Sequence, residues 1–213
     1  MLSRLLAYAS FVAGFAFVST ANPAIVTNGD FATGDFTGWT LFTTSNGTLG
    51  PSGSGFPAVT SFDVTGSGAQ NAATFQAGEV VFDMTEQGGG IRQTVTLPGG
   101  LITFSANVAS ASSGPFFDGA FRVLLDGITE DTVQVGVVLP NTVFRDTLNF
   151  TTMESAGAHT LEILVTRQVP PTFPEQFITN IAISGAAAVP EPASLALLAT
   201  GILSFAAVRR RHS

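Results

Sequence analysis

The residues of this chain whose types and spacing best suit chemistry are Asp126, Glu130 and Asp131, with Gly127 beside the first. Three carboxylates in one loop could supply oxygens to calcium, a hard cation that takes six to eight of them. A solvated turn between strands is the simpler reading, because Asp126-Gly127 between two apolar alternations is itself a hairpin signal. His159 sits in Gly157-Ala158-His159-Thr160-Leu161, where a turn feeds a strand, and a structural role there outweighs general-base work. His212 belongs to the C-terminal tail. Asp83 and Glu86 form the kind of carboxylate pair that glycoside hydrolysis uses, but the decisive separation is spatial and many acids make chance pairs common. No G-x-S-x-G, H-E-x-x-H or G-x-x-x-x-G-K pattern occurs. The glycine-rich stretches Gly50 to Gly55 and Gly88 to Gly90 have no lysine, open no helix and read as loops. With no cysteine, thiol catalysis, disulfides and thiolate metal sites are excluded together. No catalytic residue is therefore assigned, and the chain is expected not to be an enzyme.

Charge narrows the partners. From residue 22 to 188 four arginines (Arg92, Arg122, Arg145, Arg167) stand against fourteen acids, a net charge of −10, and the whole chain has no lysine. Such a domain repels phosphate, so nucleic acid is excluded as a partner. An acidic surface suits solubility outside the cell and weak attraction for divalent cations.

The elements that must position these residues alternate with period two. In Ile91 to Leu97, the residues Ile91, Val95 and Leu97 share one face while Arg92, Thr94 and Thr96 share the other, and Pro98-Gly99-Gly100 follows as a turn signal. Ile102, Phe104, Ala106 and Val108 continue as a partner strand, so these two segments are expected to form an antiparallel hairpin. Phe121, Val123 and Leu125 alternate before Asp126-Gly127; Val133, Val135 and Val137 before Pro140-Asn141; Phe144, Leu148 and Phe150 opposite Arg145, Thr147 and Asn149. Leu161, Ile163 and Val165 form another strand, and Phe177 to Ser184 the last, with Phe177, Ile181 and Ile183 on one face. Ala24 to Thr27, Gly38 to Thr44, Val59 to Val64 and Glu79 to Met84 are further strands with less regular alternation. About ten short strands with no internal helix predict an all-β antiparallel sandwich, jelly-roll-like, over residues 22–188. Nineteen phenylalanines against one tryptophan and one tyrosine indicate aromatics chosen to fill a core. An exposed stacking platform for sugars is not evident, although Phe116-Phe117-Asp118 and Pro170 to Pro174 could add exposed rings or simply cap the sandwich.

Both ends are apolar. Residues 1–21 carry one early charge, Arg4, then an apolar run and Ser19-Thr20-Ala21, which predicts a signal helix cleaved after Ala21. At the other end Val189, Pro190, Glu191 and Pro192 precede the uncharged run from Ala193 to Val208, and Arg209, Arg210 and Arg211 follow at once. Those sixteen residues give roughly 24 Å of helix against a hydrocarbon core of roughly 30 Å. The segment is a marginal span, suited to temporary insertion and processing. The arginines at both ends place both ends of the precursor inside and residues 22–188 outside. In order and composition, residues 189–213 resemble the PEP-CTERM sorting signal of Gram-negative bacteria. That resemblance implies an exported protein handled by an exosortase and the export machinery, a membrane-anchored precursor, and delivery to the cell surface or extracellular matrix.

A second resemblance lies in Val26 to Phe42. Asn28-Gly29-Asp30-Phe31, Gly34 to Phe36 and Gly38-Trp39 are similar to the opening of galactose-binding-like and carbohydrate-binding jelly rolls, with Gln93, Thr103 to Ala106 and the closing strand Phe177 to Ser184 continuing the order. Phe31 and Trp39 are expected in the core, with glycines permitting the tight turn between them. Family members with a structural calcium supply a Glu after the first Phe and an Asp in the closing strand; here those positions are Ala32 and Asn180. Two anionic ligands are missing, so the chain is expected to need no cofactor and the family calcium site to be empty. Three functions stay open: a non-enzymatic surface or matrix protein associated with exopolysaccharide, a carbohydrate-binding module, and a glycoside hydrolase.

Overall fold

The computed structural model describes residues 24–112, 116–117, 119–169 and 174–185, with 116–117 given by their backbone alone. The signal segment with Ala21, and the tail with Val189 to Pro192 and Arg209 to Arg211, lie outside the described residues. So do the two expected flanking helices.

Twelve strands follow in order: β1 (Thr40–Thr43), β2 (Gly47–Thr48), β3 (Ala58–Phe62), β4 (Gln70–Phe75), β5 (Gly78–Glu79), β6 (Gln87–Ser112), β7 (Phe116–Phe117), β8 (Ala120–Leu125), β9 (Ile128–Gln134), β10 (Val137–Val138), β11 (Thr142–Arg167) and β12 (Glu175–Gly185). All pairings are antiparallel, and the described residues contain no helix.

The frame is a ribbon of two 26-residue strands, β6 and β11, in register from Ser112 with Thr142 to Gln87 with Arg167. The ribbon turns a corner where Pro98, Gly99 and Gly100 of one strand face Glu154 to Gly157 of the other. Gly99 and Gly100 adopt φ of 80° and 90°, which only glycine takes without strain. Beyond the corner β12, β4 and β3 extend the Leu101–Ser112 half into one sheet; before it, β1 joins the edge of β6 and β8 then β9 join β11 to make the other. The inner faces of both halves meet in one core that includes Ile91, Leu97, Phe104, Leu148, Phe150 and Ile163, with Phe104 stacked on Phe150 at 5.1 Å. This is the two-layer antiparallel β-sandwich that the alternation predicts, in a jelly-roll-like arrangement.

Several expectations change. Pro98-Gly99-Gly100 is not a hairpin turn, because both flanking segments pair with β11 and not with each other. Each segment keeps its own alternation, with buried positions odd up to Leu97 and even from Ile102, so the sequence pattern of a hairpin and of a folded ribbon is the same. For the same reason the strand expected at Leu161 to Val165 is the second half of β11. Gly88 to Gly90 lies inside β6 rather than in a loop. A Cβ at Gly88 or Gly90 would fall 2.0 or 1.8 Å from the carbonyl oxygen of Val165 or Ile163, so these glycines permit close approach to β11. Ala24 to Thr27 is irregular, and of the strand expected at Glu79 to Met84 only Glu79 is in a strand, the two-residue Gly78–Glu79. In β12 a bulge between Thr179 and Ala182, with Asn180 at φ 54°, inserts a residue and reverses the facing. Ile178, Ile181 and Ile183 therefore point into the main core, while Phe177 stacks on Phe62 at 3.7 Å in a satellite cluster. The strand β4 carries no alternation to find, since Ala72 to Phe75 are buried on both faces.

Candidate functional site

The end of the sandwich away from the corner gathers the start of β6, the end of β11 and the β5–β6 connection. Five residues of that connection, Val80 to Met84, project as a loop on which Val80, Val81, Phe82 and Met84 are all exposed, Phe82 by 58%. The loop is built, not slack. Asn46 accepts from Val81 N through Oδ1 at 2.9 Å, donates through Nδ2 to Val81 O at 2.6 Å and to Asp83 Oδ2 at 3.2 Å, and accepts from Val80 N on its own carbonyl at 2.7 Å. Fully buried Glu79 accepts from Asp83 N at 2.8 Å. Asp83 in turn caps Thr85, whose hydroxyl and amide hold its carboxyl below the usual carboxylate range.

Phe82, Met84, Glu86, Gly119, Gln134, Gly136, Gln168 and Val169 line a cleft of about 320 Å3 under this loop. Glu86 pairs with Arg122, which also donates to Thr166 Oγ1 at 2.6 Å. The cleft thus combines an apolar ridge with two exposed side-chain amides, and amides both donate and accept. It can take a ligand that has an apolar face and hydroxyls at its edges. A second, smaller and more polar depression of about 240 Å3 lies on the same sheet among Gly38, Thr40, Arg92, Gln93, Thr94 and Thr160.

The acids picked out in the sequence do not assemble. Asp126 lies in the β8–β9 turn and binds His159 Nδ1 at 2.7 Å and Thr160 N at 2.7 Å, whereas Asp131 accepts from Asn149 N at 2.8 Å. Among the described residues no group of three or more His, Cys, Asp or Glu is placed to hold a metal. Asp83 is absorbed by Asn46 and Thr85 and Glu86 by Arg122, so this pair serves the loop and its neighbour strand.

The opening motif is core, as its residues predict. Phe31 is fully buried and Trp39 nearly so, their rings 6.2 Å apart, with Trp39 Nε1 donating to Asn28 O at 3.1 Å. Gln93, on the inner face of β6, holds the motif: Oε1 accepts from Thr27 N at 2.8 Å, and Nε2 donates to Thr27 O at 3.0 Å and Gly38 O at 2.8 Å. Ala32 is exposed, and Asn180 Nδ2 donates to Asn107 Oδ1 at 3.1 Å. Asn71 Nδ2 donates to Phe31 O at 2.9 Å.

The model of the PEP-CTERM protein-sorting motif matches residues 188–211. The chain carries that sorting motif at its C-terminal end. The motif implies an exported protein processed by an exosortase and placed at the cell surface or outside. No curated protein matches the chain. Among solved structures the chain is similar to TmCBM61 in complex with beta-1,4-galactotriose, at 13% identity and a TM-score of 0.46 over 76% of this chain and 99% of that one. It is also similar to the CBM22-1 xylan-binding domain from Paenibacillus barcinonensis Xyn10C, at 12% identity and 0.40 over 72% and 89%. A third is the CBM36-1 domain of a multidomain xylanase from the hindgut metagenome of Trinervitermes trinervoides, at 14% and 0.35 over 70% and 98%.

The cleft is what sequence reasoning missed. The signal for it is the run Val80-Val81-Phe82, three adjacent apolar residues that break the period-two pattern expected of a strand over Glu79 to Met84.

Proposed function

We propose that this chain is an exported, non-enzymatic surface or matrix protein whose β-sandwich binds polysaccharide. The observation that carries the reading is the sorting motif at 188–211, which sets the destination. In this proposal residues 1–21 are a signal peptide removed after Ala21, residues 22–188 form the exported sandwich, and residues 189–213 anchor the precursor in the membrane until the exosortase acts. Binding is supported by the chemistry of the cleft beneath Phe82 and by the resemblance of Asn28 to Trp39 to carbohydrate-binding jelly rolls. A non-enzymatic role is supported by the engagement of His159, Asp126 and Glu86 in structural pairs.

Two measurements test it. The mass of the mature C-terminus, compared in cells with and without the exosortase, is expected to differ by the processed tail; an identical full-length tail in both overturns the sorting reading. The chain is further expected to co-sediment with its host's matrix polysaccharide without releasing reducing sugar. Free chain in the supernatant removes the binding role, and released sugar makes it a hydrolase.

A further inference from the structure

We infer that the polysaccharide taken by the cleft under Phe82 is an uncharged one, and that uronic-acid and sulfated polymers are turned away. This rests on the polysaccharide-binding reading and adds the chemical class of the ligand. Anionic glycans are held by cations, and the described arginines are all engaged. Arg122 is neutralised by Glu86 in the cleft wall itself. Arg145 donates to Asp63 O at 3.0 and 3.1 Å and lies 3.6 Å from Asp63 Oδ2. Arg92 lies 3.9 Å from Glu162 and 5.7 Å from the centre of the Phe42 ring. Arg167 is fully buried, with Nη1 donating to Ala77 O at 3.3 Å.

The chain has no lysine, and its exposed arginines, Arg92 and Arg145, each stand beside a carboxylate and outside the cleft lining, so a polyanion meets a domain of net charge −10 with no cation in the cleft free to hold it. Neutral sugar has what the cleft asks for. Its C–H face can lie on Phe82 and Met84 while its hydroxyls exchange hydrogen bonds with Gln134 and Gln168. The loop is prearranged by Asn46, so little ordering opposes the contact. Gly185, where the described chain ends, pairs with Ile102 beside the corner, at the opposite end of the sandwich from the cleft. A chain held by its tail would leave the cleft facing outward.

The test is retention of the full chain on insoluble neutral polysaccharides (cellulose, mannan) and on uronic-acid polymers (calcium-gelled alginate, polygalacturonate), at low and high salt. Retention on at least one neutral polymer is expected, unchanged by salt, and about tenfold weaker in Phe82→Ala, the equivalent of about 1.4 kcal/mol. Leu101→Ala, an exposed apolar change at the corner, is expected to bind as the unmodified chain does. Retention on the uronic-acid polymers that fades with salt overturns the inference but leaves polysaccharide binding standing. Neutral binding untouched by Phe82→Ala overturns the placement at this cleft. Retention on neither class, nor on the host's matrix, overturns the polysaccharide reading itself.

Discussion

His159 and Asp126 form a charged pair that ties the β8–β9 turn to the corner end of β11. Nδ1 of the imidazole lies 2.7 Å from Asp126 Oδ2, and Nε2 lies 3.0 Å from the Ser155 carbonyl oxygen. A carboxylate and a carbonyl only accept, so the arrangement favours the ring with both nitrogens protonated, in line with its raised pKa. Both ring nitrogens of His159 are engaged by these partners. The pair is a clasp, and it explains a histidine that the sequence presents with no partner nearby.

The clasp makes stability depend on pH. The Asp126 hydrogen bond, aided by Ser155 O and opposed by burial, raises His159 above its ordinary value. A raised cationic group contributes fully below the unfolded value of about 6.5, and the contribution is lost as pH rises through the folded value. Asp126 is lowered, first by the Thr160 amide and then by His159, so its contribution is present above about 3.9 and lost as pH falls through its folded value. The melting temperature of the unmodified chain is therefore expected to decline from about pH 6.5 upward, and that of His159→Gln to change much less. Parallel melting curves for the two across pH 5 to 10 would remove the clasp.

Gln93 is expected to be the most sensitive polar residue of the core. Gln93→Leu keeps the volume but strips partners from Thr27 N, Thr27 O and Gly38 O. Leaving such groups unpaired costs about 2–4 kcal/mol in total. Urea unfolding monitored by the fluorescence of Trp39, whose loop Gln93 holds, reads this directly. A midpoint within error of the unmodified chain's would show that water replaces the amide at no loss.

Gly29 tests the same junction from the other side. Its carbonyl accepts from Ile181 N at 2.9 Å, and a Cβ there would stand 2.0 Å from Ile181 O. Gly29→Ala must push the opening loop off the β12 bulge, with an expected loss of about 2 kcal/mol or more. Thermal melts of Gly29→Ala and of Gly34→Ala can be compared. At Gly34 an added Cβ meets nothing within 4 Å but φ is 78°; the Gly34 change is expected to cost only about 1 kcal/mol of backbone strain. Equal losses would discount the steric contact.

What the sequence made legible follows from what period two encodes. Alternation finds which residues share a face, so it places Ile91, Phe104, Leu148 and Ile163 together, and all four lie in the core. Alternation does not say which strand is the neighbour. The ribbon corner at Gly99-Gly100 was invisible because a bend and a reversal spend the same Pro-Gly-Gly signal. One inserted residue at Asn180 was enough to exchange Phe177 for Ile178 on the core face. The exposed loop is less legible still, because apolar residues such as Val81 and Phe82 look like core until their neighbours are known.

The last prediction separates the loop's stiffness from the fold's stability. Asn46 makes four of the contacts that shape Val80 to Asp83, three through its side chain and one through its carbonyl oxygen. Its side-chain hydrogen bonds all go to the loop, so Asn46→Ala should leave the global unfolding midpoint within about 1 kcal/mol, the usual range for a partly exposed hydrogen-bonding residue. Locally the change is larger. Val81 N loses its acceptor, and its amide is expected to exchange with solvent roughly tenfold faster or more, while amides of β6 and β11 keep their protection. If a prearranged Phe82 is what the cleft contributes, polysaccharide retention must weaken in Asn46→Ala although Phe82 and Met84 are untouched. Fast exchange at Val81 with undiminished retention would show that the loop's chemistry suffices and its fixed shape does not matter.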